Sequence, residues 1–126
     1  MFPSQSATGD VGADDRNPLL AAVRSLKSLY PELLVACDVC LCPYTNHGHC
    51  GVLGADGFVD NERSIRQIAE ISKKLALAGA DIIAPSDMMD GRVRAIKEVL
   101  KEIGYLNRVL KQFHDASRGN QIKACL

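Results

Sequence analysis

Two short apolar runs, LLVACDVCLC (Leu33 to Cys42) and DIIAP (Asp81 to Pro85), alternate along the chain with stretches of helical periodicity. Both runs are too apolar to leave one face in water, and strands of that kind are covered on both sides by the crossover helices of a parallel sheet. The helical stretches are equally plain. Leu19, Val23, Leu26 and Tyr30 recur on one face of a helix that Pro18 can open and Pro31 stops. Ile65, Ile68, Ile71 and Leu75 mark a second helix, capped by Asp60 and ended before Gly79, and Val93, Ile96, Leu100 and Ile103 a third, capped by Asp87 or Asp90 and closed at Gly104. The order helix, strand, helix, strand, helix predicts an α/β fold. Residues 3–18 read as a long mobile loop, NRVL as the opening of a third strand, and the tail after it as polar and nonperiodic.

The 126 residues carry 15 basic and 15 acidic side chains and are 47% hydrophobic, enough for one compact core. With no excess of Lys and Arg, a nucleic-acid or anionic-membrane surface is not expected. Aromatics make up 5% and tryptophan is absent, which argues against base stacking. No apolar run is long enough to span a bilayer, and MFPSQSATGD lacks the features of a secretory signal, so the expected setting is the reducing cytoplasm.

Against that background the segment CDVCLCPYTNHGHC, Cys37 to Cys50, holds four of the five cysteines and two of the three histidines. Side chains alternate across a strand, so Asp38, Cys40 and Cys42 point one way while Cys37, Val39 and Leu41 point the other. Cys50 lies beyond a glycine-containing turn, close enough to fold back. Three thiolates can hold a soft divalent metal with a fourth position open, as catalytic sites do. His47 and His49 could close that position or support the ligands from outside. Two other readings stand beside this one: the cysteines as small buried residues, and CDVC as a redox pair, although it lies within a strand and not at a helix start. Cys125 has no evident role.

APSDMMDGRV, Ala84 to Val93, is the second candidate. Ser86 and Asp87 fall at the C-terminal end of a strand beside a helix start, where free amides favour an anion and capping alone would select the same residues. Met88 and Met89 read as packing.

The long stretches ACDVCLCPYTNHGHCGVL and GADIIAPSDMMDGRVRAIKEVL resemble the zinc-dependent branch of the porphobilinogen synthase family, also called delta-aminolevulinate dehydratase; YPELL and FPSQS extend the likeness to about Phe2 to Val109. The resemblance implies a partial TIM (β/α)8 barrel covering roughly the second to fourth β/α units, with residues 1–18 as loop, 19–109 as barrel and 110–126 as a divergent tail. It implies a hydro-lyase that joins two molecules of 5-aminolevulinate into porphobilinogen, a pyrrole used for haem, with loss of two waters. By the same matching Cys40, Cys42 and Cys50 bind catalytic Zn2+, Asp38 and Ser86 line the active site, and His49 lies beside the metal. The family assembles as a homo-octamer through an N-terminal arm, and its thiol site should also admit lead.

The departures are equally specific. A complete barrel needs about 250 residues. The two lysines that form Schiff bases with substrate in the family find no match here. Lys111 lacks their surrounding motif, and Lys27, Lys73, Lys74, Lys97 and Lys101 fall on predicted helices. The chain is therefore expected to be inactive alone and poorly soluble, with a noncatalytic zinc-binding relative, one that binds metal or a full-length partner, as the second functional reading.

Overall fold

The computed structural model describes residues 5–105 and, as backbone, 109–112 and 123–125. The elements in chain order are a 3-10 turn Asp10–Ala13, α1 Pro18–Leu29, β1 Ala36–Val39, β2 Val52–Leu53, β3 Val59–Asp60, α2 Asn61–Ala78, β4 Ile82–Pro85, α3 Arg92–Glu102, β5 Val109–Gln112 and β6 Lys123–Cys125. β1, β4 and β5 run parallel in one sheet, with β6 antiparallel beyond β5. β2 and β3 form a separate antiparallel pair. The architecture is α/β, with two parallel strands joined through α2 as the sequence pattern predicts. No helix among the described residues is long and apolar enough to cross a membrane.

Local chemistry sets most boundaries. Asn17 caps α1 through its side-chain oxygen, which accepts from the Leu19 amide at 3.0 Å, and Pro18 takes the first helical position, where no amide hydrogen is needed. Asp60 does the same for α2, accepting from the Arg63 amide at 3.0 Å. Gly79 ends α2 with φ at 112°, a left-handed conformation that a side chain would strain. One face of α2, carrying Ile68, Ile71 and Leu75, packs on Cys37, Val39 and Ile83 of the sheet, and Leu20, Val23, Ile96 and Leu100 close the core around them.

Four differences from the sequence reading have physical causes. The first strand begins only at Ala36 and stops at Val39, where Leu33 to Cys42 was expected. Leu33 and Leu34 are 47% and 73% exposed. Their neighbourhood serves side chains and not a ladder: Lys27 Nζ donates to the Leu33 carbonyl at 2.9 Å and to Asp81 at 3.0 Å, and Asp81 accepts from the Val35 amide at 3.0 Å. At the other end the Leu41 carbonyl accepts from the Tyr44 and Thr45 amides, so the chain turns out of the sheet.

The amino-terminal segment is pinned, where a mobile loop was expected. Ser6 bridges to Thr45, with amides of Ser6 and Asn46 donating to the carbonyls of Tyr44 and Ser6, each at 3.0 Å. Gly12 comes so close to Ile71 and Tyr44 that a Cβ there would fall 2.6 and 2.8 Å from their side-chain atoms. Neither Asp87 nor Asp90 caps α3. Gly91, with φ at 79°, occupies that position, while Asp87 accepts from the Met89 amide and the Asp90 amide donates to Asn61. The sheet also continues past Val109, through β5 to Gln112 and then β6, whose three residues are too few to show a period.

Candidate metal centre at the strand ends

The site grows from the alternation within β1. Cys37 and Val39 are buried in the core under the helices, whereas Asp38, on the opposite face, is exposed. Burial, and then the nearby charge of Asp81, raise the Cys37 thiol above its ordinary pKa. Parallel pairing sets Asp38 beside Ala84 and Val39 beside Pro85, and the Ser86 amide donates to the Val39 carbonyl at 3.1 Å. Cys40 therefore leaves β1 next to the point where Ser86 and Asp87 leave β4.

The loop that follows returns Cys50 to the same place. The two amides on the Leu41 carbonyl start the turn. Thr45, fully buried, then ties across it with its hydroxyl donating to the His49 carbonyl at 2.8 Å. Gly48 bends the chain with φ at 73°, a conformation its side-chain-bearing neighbours could not share without strain. Farther on, the Val52 amide donates to Ser64 Oγ at 2.8 Å, and that hydroxyl donates to the Asp60 carbonyl at 2.5 Å, which fastens the loop to α2.

As a result the sulfurs of Cys40, Cys42 and Cys50 all lie within 4.8 Å of one another, with Cys42 and Cys40 3.3 Å apart. Cys40 is buried and the other two are half-buried; all are free thiols. Burial, followed by hydrogen bonding and charge from Cys40 and charge from Cys50, pushes the Cys42 thiol up to about 12. Cys50 is raised as well, chiefly by burial and then by its hydrogen bond with Cys40. Without a metal these two groups are thus protonated thiols at neutral pH.

A tetrahedral metal with sulfur ligands at about 2.3 Å spaces those sulfurs by roughly 3.8 Å, inside the range seen here. The donor set also fits: three soft sulfurs suit zinc and other thiophilic divalent ions and leave one position for a further ligand. The CDVC pair has no such convergence, because Cys37 belongs to the core face.

The remaining candidates fall around this cluster. Ser86 is exposed. His49 is exposed and outside the sulfur cluster; its ring centroid lies 5.3 Å from that of His47, whose Nε2 is 3.2 Å from the Ala7 carbonyl oxygen. Of these two methionines, Met89 packs in the core, while Met88 is 79% exposed and lies outside the core cluster, contrary to its expected role. Lys111 and Cys125 lie on β5 and β6, where only the backbone is described. Sequence reasoning passed over the buried pair Asp87 and Arg92, 3.3 Å apart. Ser-Asp beside a helix start looks the same whether the carboxylate caps or is buried, and only the arginine five residues on was a signal.

Comparison with known proteins bears on these residues together. The family described as Delta-aminolevulinic acid dehydratase matches residues 1–112. The delta-aminolevulinic acid dehydratase of Schizosaccharomyces pombe is 52% identical over 101 residues, which are 80% of this chain and 31% of that protein. The Bos taurus protein gives the same identity over the same length and the same 31% share. The crystal structure of delta-aminolevulinic acid dehydratase (porphobilinogen synthase) from Toxoplasma gondii, in complex with the reaction product porphobilinogen, superposes with a TM-score of 0.83 at 35% identity, over 86% of this chain and 31% of that one. The chain therefore spans about a third of the length of the relatives it matches.

Proposed function

The chain belongs to the delta-aminolevulinic acid dehydratase family, and from that premise we propose that it carries the metal-bearing part of a porphobilinogen synthase active site. The observation behind this reading is the convergence of the Cys40, Cys42 and Cys50 sulfurs within 4.8 Å at the C-terminal end of a parallel strand, the end where α/β folds bind ligands. In this reading β1, β4 and β5, with α2 and α3, correspond to about the second to fourth units of a (β/α)8 barrel. Residues 1–18 form the lead-in, 19–109 the barrel portion and 110–126 the divergent tail. Cytoplasmic free thiols and assembly with other copies of the family's chains belong to the same proposal.

The reaction is the condensation of two 5-aminolevulinate molecules into porphobilinogen with loss of two waters. Cys40, Cys42 and Cys50 would hold zinc, which when bound supplies a Lewis acid and an orienting template. The chain's own residues do the rest of the local work. Asp38, exposed on the face away from the core, offers a carboxylate to the substrate's cationic amino group. Ser86 offers a hydroxyl one strand away, and His49 stands at the rim. Thr45 keeps the Cys50 loop in place and so sets how far apart the sulfurs stand.

Imine formation needs amine nucleophiles, and splitting the condensation through such covalent steps is what makes it tractable. No lysine in the described active-site wall fills that role. The isolated polypeptide incubated with zinc and 5-aminolevulinate is therefore expected to give no pyrrole product. Residues 36–105, grafted in place of the matching segment of the S. pombe relative, should support porphobilinogen formation within about tenfold of the parent, a barrier higher by no more than roughly 1.4 kcal/mol. A properly folded, zinc-loaded chimera that forms no product would overturn the proposal in favour of a metal-binding relative without catalytic competence.

A further inference from the structure

Asp87 sits where β4 has ended and α3 has not begun, in surroundings unlike those of a solvent-facing cap. Its side chain is fully buried. Oδ1 accepts from the Met89 amide at 2.8 Å and lies 3.3 Å from Arg92 Nε. Oδ2 has no hydrogen-bond partner among the described residues, and neither has Arg92 Nε, because the guanidinium donates through Nη1 to the Met89 carbonyl at 2.8 Å. A buried carboxylate oxygen left without a donor is costly, so a fold that retains one has a donor for it from elsewhere.

Several contacts show what this turn faces. The Ser86 amide on the Val39 carbonyl sets residues 86 and 87 beside Cys40. The Met89 methyl would stand 3.1 Å from a Cβ on Gly51, so the turn packs against the residue that follows Cys50. Asp87 is itself held above the ordinary carboxylate range, first by burial, with the charge of Asp38 adding a smaller rise.

Resting on the reading that the three thiols hold a metal, we propose that Asp87 is a positioning residue of that centre, its free Oδ2 accepting a hydrogen bond from the molecule seated at the position the sulfurs leave open. In the substrate-free protein that molecule is water. Burial raises the Asp87 pKa, the Met89 amide on Oδ1 and then Arg92 at 3.3 Å oppose that rise, and the same two contacts fix the carboxyl's angle. Two effects compete on removing the charge. Thiol ionisation becomes easier, which favours metal, while the outer partner is lost, which typically weakens metal binding by about 10–100-fold. Arg92 already offsets much of the charge, so the second effect dominates.

The test is titration of cadmium into the wild-type chain and Asp87→Asn at one neutral pH, read by sulfur-to-metal charge-transfer absorption, with melting of the metal-free proteins alongside. Asparagine keeps an oxygen for the Met89 amide and replaces Oδ2 by a donor. The expected result is the same absorption at saturation, about 10–100-fold weaker affinity and an unchanged or higher melting temperature without metal. Unchanged or tighter cadmium binding, with or without a fall in that temperature, would overturn the inference. Asp87→Ser, whose hydroxyl can still serve the Met89 amide but reaches no further, should show the same weakening, and it decides the matter should the asparagine variant fail to fold. A folded wild-type chain with no charge-transfer band would refute the metal reading itself and the inference with it, which separates the two failures.

Discussion

Replacing Cys40, Cys42 or Cys50 by serine is expected to abolish useful zinc affinity, each alone. Zinc bound by a thiolate-rich tetrahedral site releases about 10–16 kcal/mol, and forfeiting one of three sulfurs removes on the order of a quarter of it. At about 1.4 kcal/mol per decade this is a loss of roughly 60- to 700-fold. The sulfurs lie within 4.8 Å of one another and share one ion, so no pair among them should hold the metal nearly as well as the three. Cys37→Ser is the informative control, because its thiol belongs to the core face under the helices. That variant should bind zinc like the parent while losing stability, and Cys125→Ser should also bind normally. Zinc competition with a chromophoric chelator measures all five. Loss of metal in Cys37→Ser would mean that the facing of β1 has been misassigned, and its retention in Cys42→Ser that the three gathered sulfurs do not share one ion.

The second large effect concerns the scaffold. Leu75→Ala should destabilise the protein by about 3–4 kcal/mol, within the usual 2–5 kcal/mol for emptying a buried leucine site. Leu75 is wholly inaccessible and lies on the α2 face that packs against the sheet. Since small domains are stable by only about 5–15 kcal/mol, this is a large part of the total. Leu77→Ala, two residues on and 53% exposed, should cost less than about 0.5 kcal/mol. Urea unfolding of the two variants and the parent gives both numbers. Equal losses at the two positions would show that α2 does not cover the sheet by the face described.

Much of this was legible in the residues because local chemistry and tertiary packing agree. α2 could be read from Asp60 to Gly79: a capping carboxylate, four isoleucine or leucine positions at helical spacing and a glycine at the left-handed end are each sufficient signals. The two faces of β1 followed from its period of two, which sorts Cys37 and Val39 from Asp38 without any knowledge of their partners. The edges were less legible. Leu33 and Leu34 look like strand, but Lys27 claims the Leu33 carbonyl and Asp81 the Val35 amide, and pairings 46 and 54 positions apart have no local signature. The amino-terminal segment has loop composition whether it floats or is tied to Thr45 and Ile71.

The site divides the same way. Cys40 and Cys42 lie just beyond β1, where the Leu41 carbonyl turns the chain, and the return of Cys50 depends on the Thr45 hydroxyl, the Gly48 bend and the Ser64 anchor, none of which has a periodicity. Asp87 was visible as a helix cap or, with Ser86, as part of a site at the end of a strand. Its burial against Arg92 and its open oxygen arise from packing between the β4 exit and the Cys50 loop, elements far apart in sequence.

X-ray absorption at the zinc edge of the metal-loaded chain tests the central claim most directly. The predicted first shell is three sulfurs at about 2.3 Å and a single oxygen or nitrogen at roughly 2.0–2.1 Å, with sulfur falling to two in any one of the three cysteine variants that still takes up metal. A shell of four sulfurs, or one made mostly of oxygen and nitrogen, would contradict a three-thiolate centre with one open position.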